Sequence, residues 1–581
     1  MASGNLDSQI IASSVQSEKA MATGEKKEGG MGGKEELFKL NQLWFRMQPS
    51  LSLVSKRTLT KGYFTQTSYP QATGKTLQLV VNTGEFYVNP RTSYLVIQCG
   101  IDRSSTTNGL GADKAAHAFL GQGDIMSLFH ETYFTSASGT EICRETNKNL
   151  CNNVITRQLL SQEYLDTQGE LSGWSGGPLR DTFDRKGWSG GGAGTYTNPI
   201  LTPIRNTTYS QLTAPNTTPT SLNTLYGKKE GTVDLSYDPT DPTNPTQAPI
   251  FIVPLERVLG CFRPYMSVLF PAAALAGGIL TLRTDDFSQV LQASGSGVAS
   301  STVATNFLKA LDILNIYVLW DSYQLNDSVL KRLNEVSAGT EGLSVMFDCW
   351  DWSQTTTSGT SVEAQISQAK SRILRSVCIP RDSGELKSPW SNKLCPEAAI
   401  RRTTGVQNGY QSGTVGVIPL VAEYQAQLGS LYFPQQPLTT PEEYVMNAYY
   451  MFSKGTQDET DTSSLTKDDF YGALGVNHFD GKGDPISPGI GAYSTTDPSV
   501  PVVSNLPPWT HNWGLGTYGF LAERSSLLQL TGLPISNARL LRHKFRFNYT
   551  TASGKNRTID TFTQYTRVMK VFLGGRIVMR E

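Results

Sequence analysis

Lys544-Phe545-Arg546-Phe547-Asn548-Tyr549, late in the 581-residue chain, alternates polar and aromatic side chains. Successive side chains of an extended strand point to opposite faces, so this segment is predicted to be a strand with one buried face. Residues 567–573 and 576–579 follow with many apolar and β-branched side chains, which are typical of strands. This part of the chain is therefore predicted to be a β domain.

Similar short segments recur along the chain, bounded by Gly, Asn and Pro as strands usually are. Those in the first half are 76–81, 94–99, 250–255, 278–283 and 313–320, and those in the second half are 344–350, 372–379 and 429–433. A polar stretch at 321–343 separates the two series. Residues before about 36 are polar and rich in Gly and Ser. We therefore predict a flexible arm at 1–45, a first β domain at 46–325 and a second at 326–581.

One helix and one long loop are predicted between the strands. Thr440-Pro441-Glu442-Glu443 is a capping box with Pro in the first turn, and residues 444–452 continue it with an apolar face at helical spacing. From about 151 to 248 the chain is rich in Gly, Pro, Thr and Asn, and it repeats Gly-Trp-Ser-Gly-Gly at 173–177 and 187–191. A loop of this length inside a folded domain is typically functional or exposed.

The most apolar stretch, residues 268–282, is interrupted by Pro271 and by Gly277-Gly278. It is also shorter than the roughly 20 residues that cross a bilayer, so we predict a turn leading into a buried strand. The N-terminal segment lacks the apolar core of a signal peptide. We therefore expect a soluble protein that is not secreted.

The composition favours an all-β protein that packs against its own copies. Lys plus Arg and Asp plus Glu number 50 each, so the formal net charge is zero, and no sequence-specific nucleic-acid binding is expected. Only 17% of residues are charged, whereas 54 Gly and 29 Pro are typical of short strands joined by turn-rich loops. A surface poor in long charged side chains loses less hydration and less entropy when it is buried.

The seven cysteines are scattered and form no C-x-x-C pair, so neither a zinc ribbon nor a disulfide framework is predicted. Cys349 and Cys378 lie in strand-like segments and are interpreted as small buried apolar residues. This usage is typical of a protein made in a reducing compartment.

The sequence contains no cluster typical of a catalytic or metal site. The five histidines lie far apart without metal-ligand spacing and are interpreted as structural; they are His117, His130, His478, His511 and His543. The Gly-rich segment 186–192 lacks the Gly-Lys-Ser/Thr ending of a phosphate loop, and the acidic segments 458–461 and 468–469 lack calcium-loop spacing. Thr466 instead predicts a helix N-cap. We expect no catalytic residues, no cofactor and no metal, and hence no enzyme.

Aromatic clusters leave an alternative function open. Trp350-Asp351-Trp352 and Tyr449-Tyr450 are also typical of sugar platforms, so a sugar-binding fibre or lectin-like β-sandwich protein is the main alternative. The other interpretation is packing in the core and at subunit interfaces, where Trp and Tyr contribute much of the binding energy. A β-sandwich glycosidase would need two carboxylates at a fixed separation, which the sequence does not place.

Several segments together resemble a known family. Residues 252–260 and 277–282 look like the closing part of a first jelly roll, and 369–377 looks like an early strand of a second. Residues 424–434, 522–537 and 562–572 are similar to the stretch before an internal helix, the stretch before the last strand pair and the terminal strands. In this order and spacing, over about residues 60–581, the chain resembles the double jelly-roll major capsid proteins of virophages, polinton-like viruses and their relatives.

The resemblance implies two consecutive eight-stranded jelly rolls with long loop insertions and a few short helices. It also implies a homotrimeric, pseudo-hexameric capsomer of an icosahedral DNA virus, located in the virion and made in the host cytoplasm or nucleus. Expected partners are further copies of the chain, penton and minor capsid or cement proteins, and internal components contacted by the N-terminal arm. The loop at 151–248 is expected to form an outer tower or to grip a neighbouring subunit through Trp174 and Trp188.

The arm provides a first test. Limited proteolysis of the free protein is expected to remove residues 1 to about 36 without disturbing the core, because a polar segment rich in Gly and Ser buries too little apolar surface to order itself. Mass spectrometry of the digest locates the cut, and circular dichroism checks that the strand content is unchanged. Protection of this segment in the isolated protein would contradict the prediction.

Overall fold

The structure, a computed structural model, describes residues 54–174, 234–404, 415–452 and 516–580, with gaps inside these ranges, and four isolated two-residue strand segments. The predicted arm at 1–45 lies outside the described residues. Also outside them are several positions singled out in the sequence: 186–192 with Trp188, Cys395, 458–461, 466–469 and His511.

Eight strands of the first half form two sheets. They are β1 (Val54–Tyr63), β2 (Thr76–Val80), β3 (Tyr94–Asp102), β4 (Phe129–Thr135), β5 (Glu141–Thr146), β6 (Ile250–Pro254), β7 (Ile279–Thr284) and β8 (Asp312–Leu325). One sheet has the order β1-β8-β3-β6 and the other has the order β2-β7-β4-β5. All of these neighbouring strands are antiparallel. We call this unit barrel 1.

The second half repeats the arrangement and is called barrel 2. Its strands are β9 (Leu343–Thr357), β10 (Ser361–Ile366), β11 (Lys370–Asp382), β12 (Val421–Leu428), β13 (Leu431–Leu438), β14 (Tyr518–Leu521), β15 (Leu541–Phe547) and β16 (Arg557–Val571). Their orders are β9-β16-β11-β14 and β10-β15-β12-β13, which are the orders of barrel 1 with eight added to each number. Two antiparallel sheets connected in this way form a jelly roll, so the predicted fold class is confirmed.

Shorter elements connect the barrel strands. Helix α1 (Ser301–Lys309) precedes β8, α2 (Asp327–Ala338) joins the barrels, and α3 (Pro441–Phe452) follows β13. Short strands lie at Tyr87–Val88, His117–Phe119, Phe183–Asp184, Thr202–Pro203, Ser236–Tyr237, Gln292–Ser294, Ile400–Thr404, Val415–Pro419, His478–Phe479, Pro485–Ile486, Leu533–Ile535 and Ile577–Arg580. Helical turns lie at Thr106–Asn108, Ile125–Leu128, Leu255–Val258, Gly260–Phe262, Ala272–Leu275 and Phe287–Gln289.

Every strand segment predicted from the sequence overlaps a strand of the structure, but some barrel strands were not predicted. Strand β1 is the clearest case, because seven of its ten residues are exposed and none is buried. A strand that buries neither face shows no apolar alternation, so a period-two pattern cannot reveal it. The polar stretch at 321–343 contains the end of β8 and helix α2.

The predicted loop at 151–248 was wrong over its first part. The chain is helical in the segments Lys148–Leu150, Cys151–Thr156, Arg157–Leu159, Gln162–Asp166 and Gly169–Ser172. Leu150, Val154 and Ile155 are buried in the core of barrel 1 and hold this helical segment on the barrel. Buried polar residues such as Asn152 and Asn153 lie among them, so the apolar spacing is incomplete in the sequence.

The predicted helix is confirmed in position and in capping. The Glu443 amide donates to Thr440 Oγ1 at 3.4 Å, and the Thr440 amide donates to Glu443 Oε2 at 3.1 Å. These reciprocal hydrogen bonds satisfy two backbone donors at the start of α3. The apolar stretch at 268–282 is also as predicted, since the turn Ala272–Leu275 leads into the largely buried β7.

The core of barrel 2 contains a buried histidine. His543 is fully buried, with Nε2 at 2.9 Å from Ser376 Oγ and Nδ1 at 2.9 Å from the Tyr424 hydroxyl. Both ring nitrogens therefore have partners, and neither partner is charged. Burial lowers the pKa of His543 to about 3. The imidazole is accordingly neutral inside the folded barrel at pH 7.

Barrel 2 is therefore expected to lose stability as the pH falls from about 6.5 toward about 3, the pKa of folded His543. In this range the unfolded chain binds a proton at His543 and the folded chain does not. The free energy of unfolding should decrease by up to about 1.4 kcal/mol per pH unit for this site. His543→Gln keeps an amide donor and acceptor but does not titrate. Urea midpoints of both proteins across this range should diverge, and parallel curves would refute the assignment.

Candidate assembly surfaces

The two barrels meet along one side of each. Strand β5 and the turn Gly260–Phe262 of barrel 1 lie against strand β9 of barrel 2. Because β5 pairs with β4 and β9 pairs with β16, the contact is made by packing and not by a shared sheet. Cys143 on β5 and Cys349 on β9 are both fully buried there, with their Sγ atoms 2.8 Å apart. We call this contact the barrel junction.

Several polar groups at the barrel junction form hydrogen bonds or ion pairs. The Arg567 guanidinium on β16 donates to the Ile142 carbonyl on β5 at 2.9 Å, and so bonds barrel 2 to barrel 1 directly. Glu145 on β5 accepts from the Gly260 amide at 3.2 Å and forms a buried ion pair with Lys148. The Glu145–Lys148 pair lies within barrel 1 and would be costly to break, whereas the Arg567–Ile142 bond joins the two barrels and favours one arrangement of the junction.

Gly260 sets how closely the barrels approach. A Cβ atom added to Gly260 would lie 2.0 Å from the backbone carbonyl oxygen of Asp348 on β9. Real Cβ atoms do not approach backbone oxygen so closely, and the backbone on both sides is held in place by packing. Glycine is therefore required at this position because two backbones meet there.

The equivalent edges of the two barrels are exposed at the outer ends of the pair. By strand order, β13 of barrel 2 corresponds to β5, and β1 of barrel 1 corresponds to β9. Three of six residues of β5 are buried, whereas β13 has none buried and four of eight exposed. Strand β1 likewise exposes seven of ten residues. One copy of the chain therefore has two free edges: β1 of barrel 1, which corresponds to β9, and β13 of barrel 2, which corresponds to β5.

Large apolar side chains are concentrated at these two free edges. Among the described residues, twelve large hydrophobic side chains are exposed. Three lie on β1 and the adjacent β2, two lie on β13, and two lie on α3, which follows β13 in the chain and packs on β14; they are Leu59, Tyr63, Val80, Leu431, Tyr432, Met446 and Tyr450. Contiguous exposed apolar side chains mark interaction surfaces more often than isolated ones do.

Charge also differs between the two free edges. Strand β1 exposes Lys56 and Lys61, together with Arg57, which is paired with Asp321, whereas the first turn of α3 exposes Glu442 and Glu443. Opposite charges on two surfaces favour their encounter and help to set their register. Strand β13 also contains Pro434 and Pro437, and proline cannot donate to a strand ladder. A contact at β13 would therefore be made by side chains, like the barrel junction.

The structure does not bring the sequence-predicted histidines together. His117 Nδ1 lies 2.6 Å from Asp234, His130 Nδ1 lies 3.8 Å from Asp285, and His543 is in the core of barrel 2. His478 lies in a short strand. Within the described part of the chain, no group of three His, Cys, Asp or Glu residues could hold a metal ion. No helix in that part is long and apolar enough to cross a membrane.

The aromatic residues singled out in the sequence are mostly used for packing within the chain. Trp350 and Trp352 are half-buried against the core, and Trp352 Nε1 donates to Asp560 at 2.9 Å. Tyr450, by contrast, is 55% exposed. Trp174 was predicted to contact a neighbouring subunit, and this is wrong: it is 4% exposed and packs against Leu160 and Leu165 of its own chain.

Cys349 and Cys378 are buried in strands β9 and β11, as predicted. The sequence did not predict that three cysteines meet at the barrel junction, namely Cys143, Cys261 and Cys349. These residues are far apart in the sequence and have no diagnostic spacing, so only the packing of two separate barrels brings them together. The exposed side chains of β1 and β13 were missed for a related reason, since sequence does not show which edge of a barrel is covered.

The scan of protein-family models finds no match, and no curated protein matches either. Among solved structures, the chain is similar to the Faustovirus major capsid protein, with 8% identity, a TM-score of 0.49, and coverage of 92% of this chain and 94% of that chain. A structure of the Sputnik virophage has 9% identity, a TM-score of 0.44, and coverage of 91% and 88%. The mavirus major capsid protein has 8% identity, a TM-score of 0.42, and coverage of 90% of each chain.

Substitution of Gly260 provides a test of the barrel junction. Gly260→Ala is expected to force the barrels apart, because the new Cβ would meet the Asp348 carbonyl at 2.0 Å. Overpacking of this kind typically costs about 1–3 kcal/mol. Gly359→Ala is the matched control, since its nearest atoms lie at 3.8 Å or more. We expect a lower thermal midpoint and faster proteolysis at α2 for the first variant only. Equal behaviour of the two variants would contradict this view of the junction.

Proposed function

We propose that this chain is the major capsid protein of an icosahedral DNA virus, acting as a structural subunit and not as an enzyme. The observation that carries the proposal is the pair of complementary free edges. Strand β13 repeats the topological position of β5, and β1 repeats that of β9, yet both are exposed and carry large apolar side chains. The Faustovirus and mavirus proteins are named as major capsid proteins, and this is the role proposed here.

In the proposed assembly, β13 of one copy packs against β1 of the next, as β5 packs against β9 within one chain. Such an interface is heterologous, so it generates either a closed ring or an open filament. With two barrels in each chain, three copies would close a ring of six barrels. That homotrimer is a pseudo-hexagonal capsomer, which tiles a shell with neighbouring capsomers.

The surface chemistry supports obligate association. Obligate interfaces typically bury more than about 2,000 Å² and are rich in apolar and aromatic groups. Tyr63 and Tyr432, one at each edge, are 56% and 42% exposed in the single chain and would supply aromatic contacts. The zero net charge removes long-range repulsion between copies.

Further features of the proposal come from the resemblance. The two domains are 46–325 and 326–581, one for each barrel, and the arm at 1–45 contacts internal components of the particle. Penton proteins and minor capsid or cement proteins are the other proposed partners. The protein is made in the host cytoplasm or nucleus and is located in the virion. The part of the 151–248 insertion that follows Trp174 is proposed to form the outer tower or a grip on a neighbouring subunit.

Two double variants test the proposed interface from its two sides. Leu59→Asp/Tyr63→Asp blocks the β1 edge, and Leu431→Asp/Tyr432→Asp blocks the β13 edge. Each variant alone should be monomeric in size-exclusion chromatography with light scattering, because losing a central contact weakens binding by about 2 kcal/mol or more, roughly 30-fold. A one-to-one mixture should form dimers, since each variant keeps the edge that the other one lacks.

Val336→Asp is the matched control, because Val336 on α2 is 51% exposed and lies on neither edge strand. This variant should form trimers and shell-sized particles like the wild type. Trimers from both double variants would show that the interface lies elsewhere. Wild-type trimers that never form shells would favour the sugar-binding fibre protein.

A further inference from the structure

The barrel junction contains three cysteines from three separate parts of the chain. Cys143 lies on β5, Cys261 in the turn Gly260–Phe262 and Cys349 on β9, and all three are fully buried. The Sγ atoms of Cys143 and Cys349 are 2.8 Å apart. Carbon atoms in contact lie about 3.5–4.0 Å apart, and sulfur is the larger atom. These two sulfurs are therefore closer than ordinary packing requires.

The surroundings distinguish Cys143 from the other two thiols. Burial raises the pKa of Cys261 and of Cys349, and their hydrogen bonds with Cys143 raise it further. Burial also acts on Cys143, but hydrogen bonds with those two thiols and the positive charge of Arg567 outweigh it and lower the pKa of Cys143. Because the thiolate is the reactive form of cysteine, Cys143 is the expected nucleophile of the group.

We propose that Cys143 and Cys349 are a redox pair that closes into a disulfide across the barrel junction. The bond would join β5 of barrel 1 to β9 of barrel 2 and so lock the two barrels together covalently. Cys261 is the competing partner of Cys143, and a bond between those two would stay within barrel 1. The 2.8 Å separation of the Cys143 and Cys349 Sγ atoms places Cys349 within reach of Cys143 for the bond that crosses the junction.

The reaction needs a two-electron oxidant, for which a peroxide is the appropriate class because it is small enough to reach a buried site. The Cys143 thiolate attacks one peroxide oxygen, the O–O bond breaks, and a sulfenic acid and hydroxide form. The Cys349 thiol then attacks the sulfenic sulfur, the S–O bond breaks, and the disulfide forms. With hydrogen peroxide the balance is two thiols and one peroxide giving one disulfide and two waters.

Whether this pair of cysteines is reduced or forms a disulfide would depend on the compartment in which the protein is found. Cytosolic reductants keep thiols reduced, whereas conditions outside the cell favour disulfides. A shell subunit that is made inside a cell and released from it would thus become locked after assembly. This consequence rests on the proposed capsid function, whereas the bond itself does not.

Peptide mapping of the full-length protein tests the proposal without any assembly step. Reduced protein is treated with hydrogen peroxide, unfolded, alkylated and digested without reductant. We expect a linked peptide containing Cys143 and Cys349, loss of two of the seven alkylatable thiols, and reversal by dithiothreitol. The oxidised protein should also run faster on a non-reducing gel and melt higher, by on the order of a few °C.

Single Cys→Ser variants identify the pair. Cys143→Ser and Cys349→Ser should abolish the linked peptide and the gel shift, while Cys378→Ser, at a buried cysteine in barrel 2 that contacts Thr561, should retain both. If a junction variant fails to fold, the wild-type peptide map decides alone. Seven free thiols after oxidation would overturn the proposal, as would a linked peptide that joins Cys143 mainly to Cys261.

Discussion

The approach of the Gly260 backbone to the Asp348 carbonyl is the contact on which the arrangement of the two barrels depends. At this contact the turn Gly260–Phe262 lies against β9. The close approach allows Cys143 on β5 to be buried beside Cys349 on β9. The Glu145–Lys148 ion pair and the bond from Arg567 to the Ile142 carbonyl are made at the same contact. A shifted junction would break the bond from Arg567 to the Ile142 carbonyl, which is the one of these contacts that crosses between the barrels.

Because the two barrels share one topology, the junction between them also shows which of their edges remain uncovered. A chain of two similar barrels joined side to side must leave one edge of each kind uncovered. Here those edges are β1 and β13. They carry exposed apolar side chains such as Leu59 and Leu431, as interaction surfaces do. The internal junction thus indicates how a neighbouring copy would be held, and the proposed assembly needs no kind of contact that the chain does not already use.

Both barrels also place their long insertions at the same topological position. The insertion between β5 and β6 begins with the helical segment at 148–172, and the insertion between β13 and β14 begins with α3. In each barrel these elements pack on the body, as shown by buried Leu150 in one and buried Tyr444 in the other. The start of each insertion therefore belongs to its barrel, which is why Trp174 is enclosed within its own chain.

The sequence by itself determined the β class, most of the buried strands, the capped helix at 440–452 and the series of two domains that the resemblance interprets as jelly rolls. Those features depend on local periodicity and capping, which neighbouring residues encode. Only the tertiary structure decided which edges are covered, since β1 shows no apolar alternation and β13 and β5 differ in burial for reasons that lie in another barrel. It also decided that Cys143, Cys261 and Cys349 meet, because contacts between residues so distant in sequence exist only once both barrels have folded and docked.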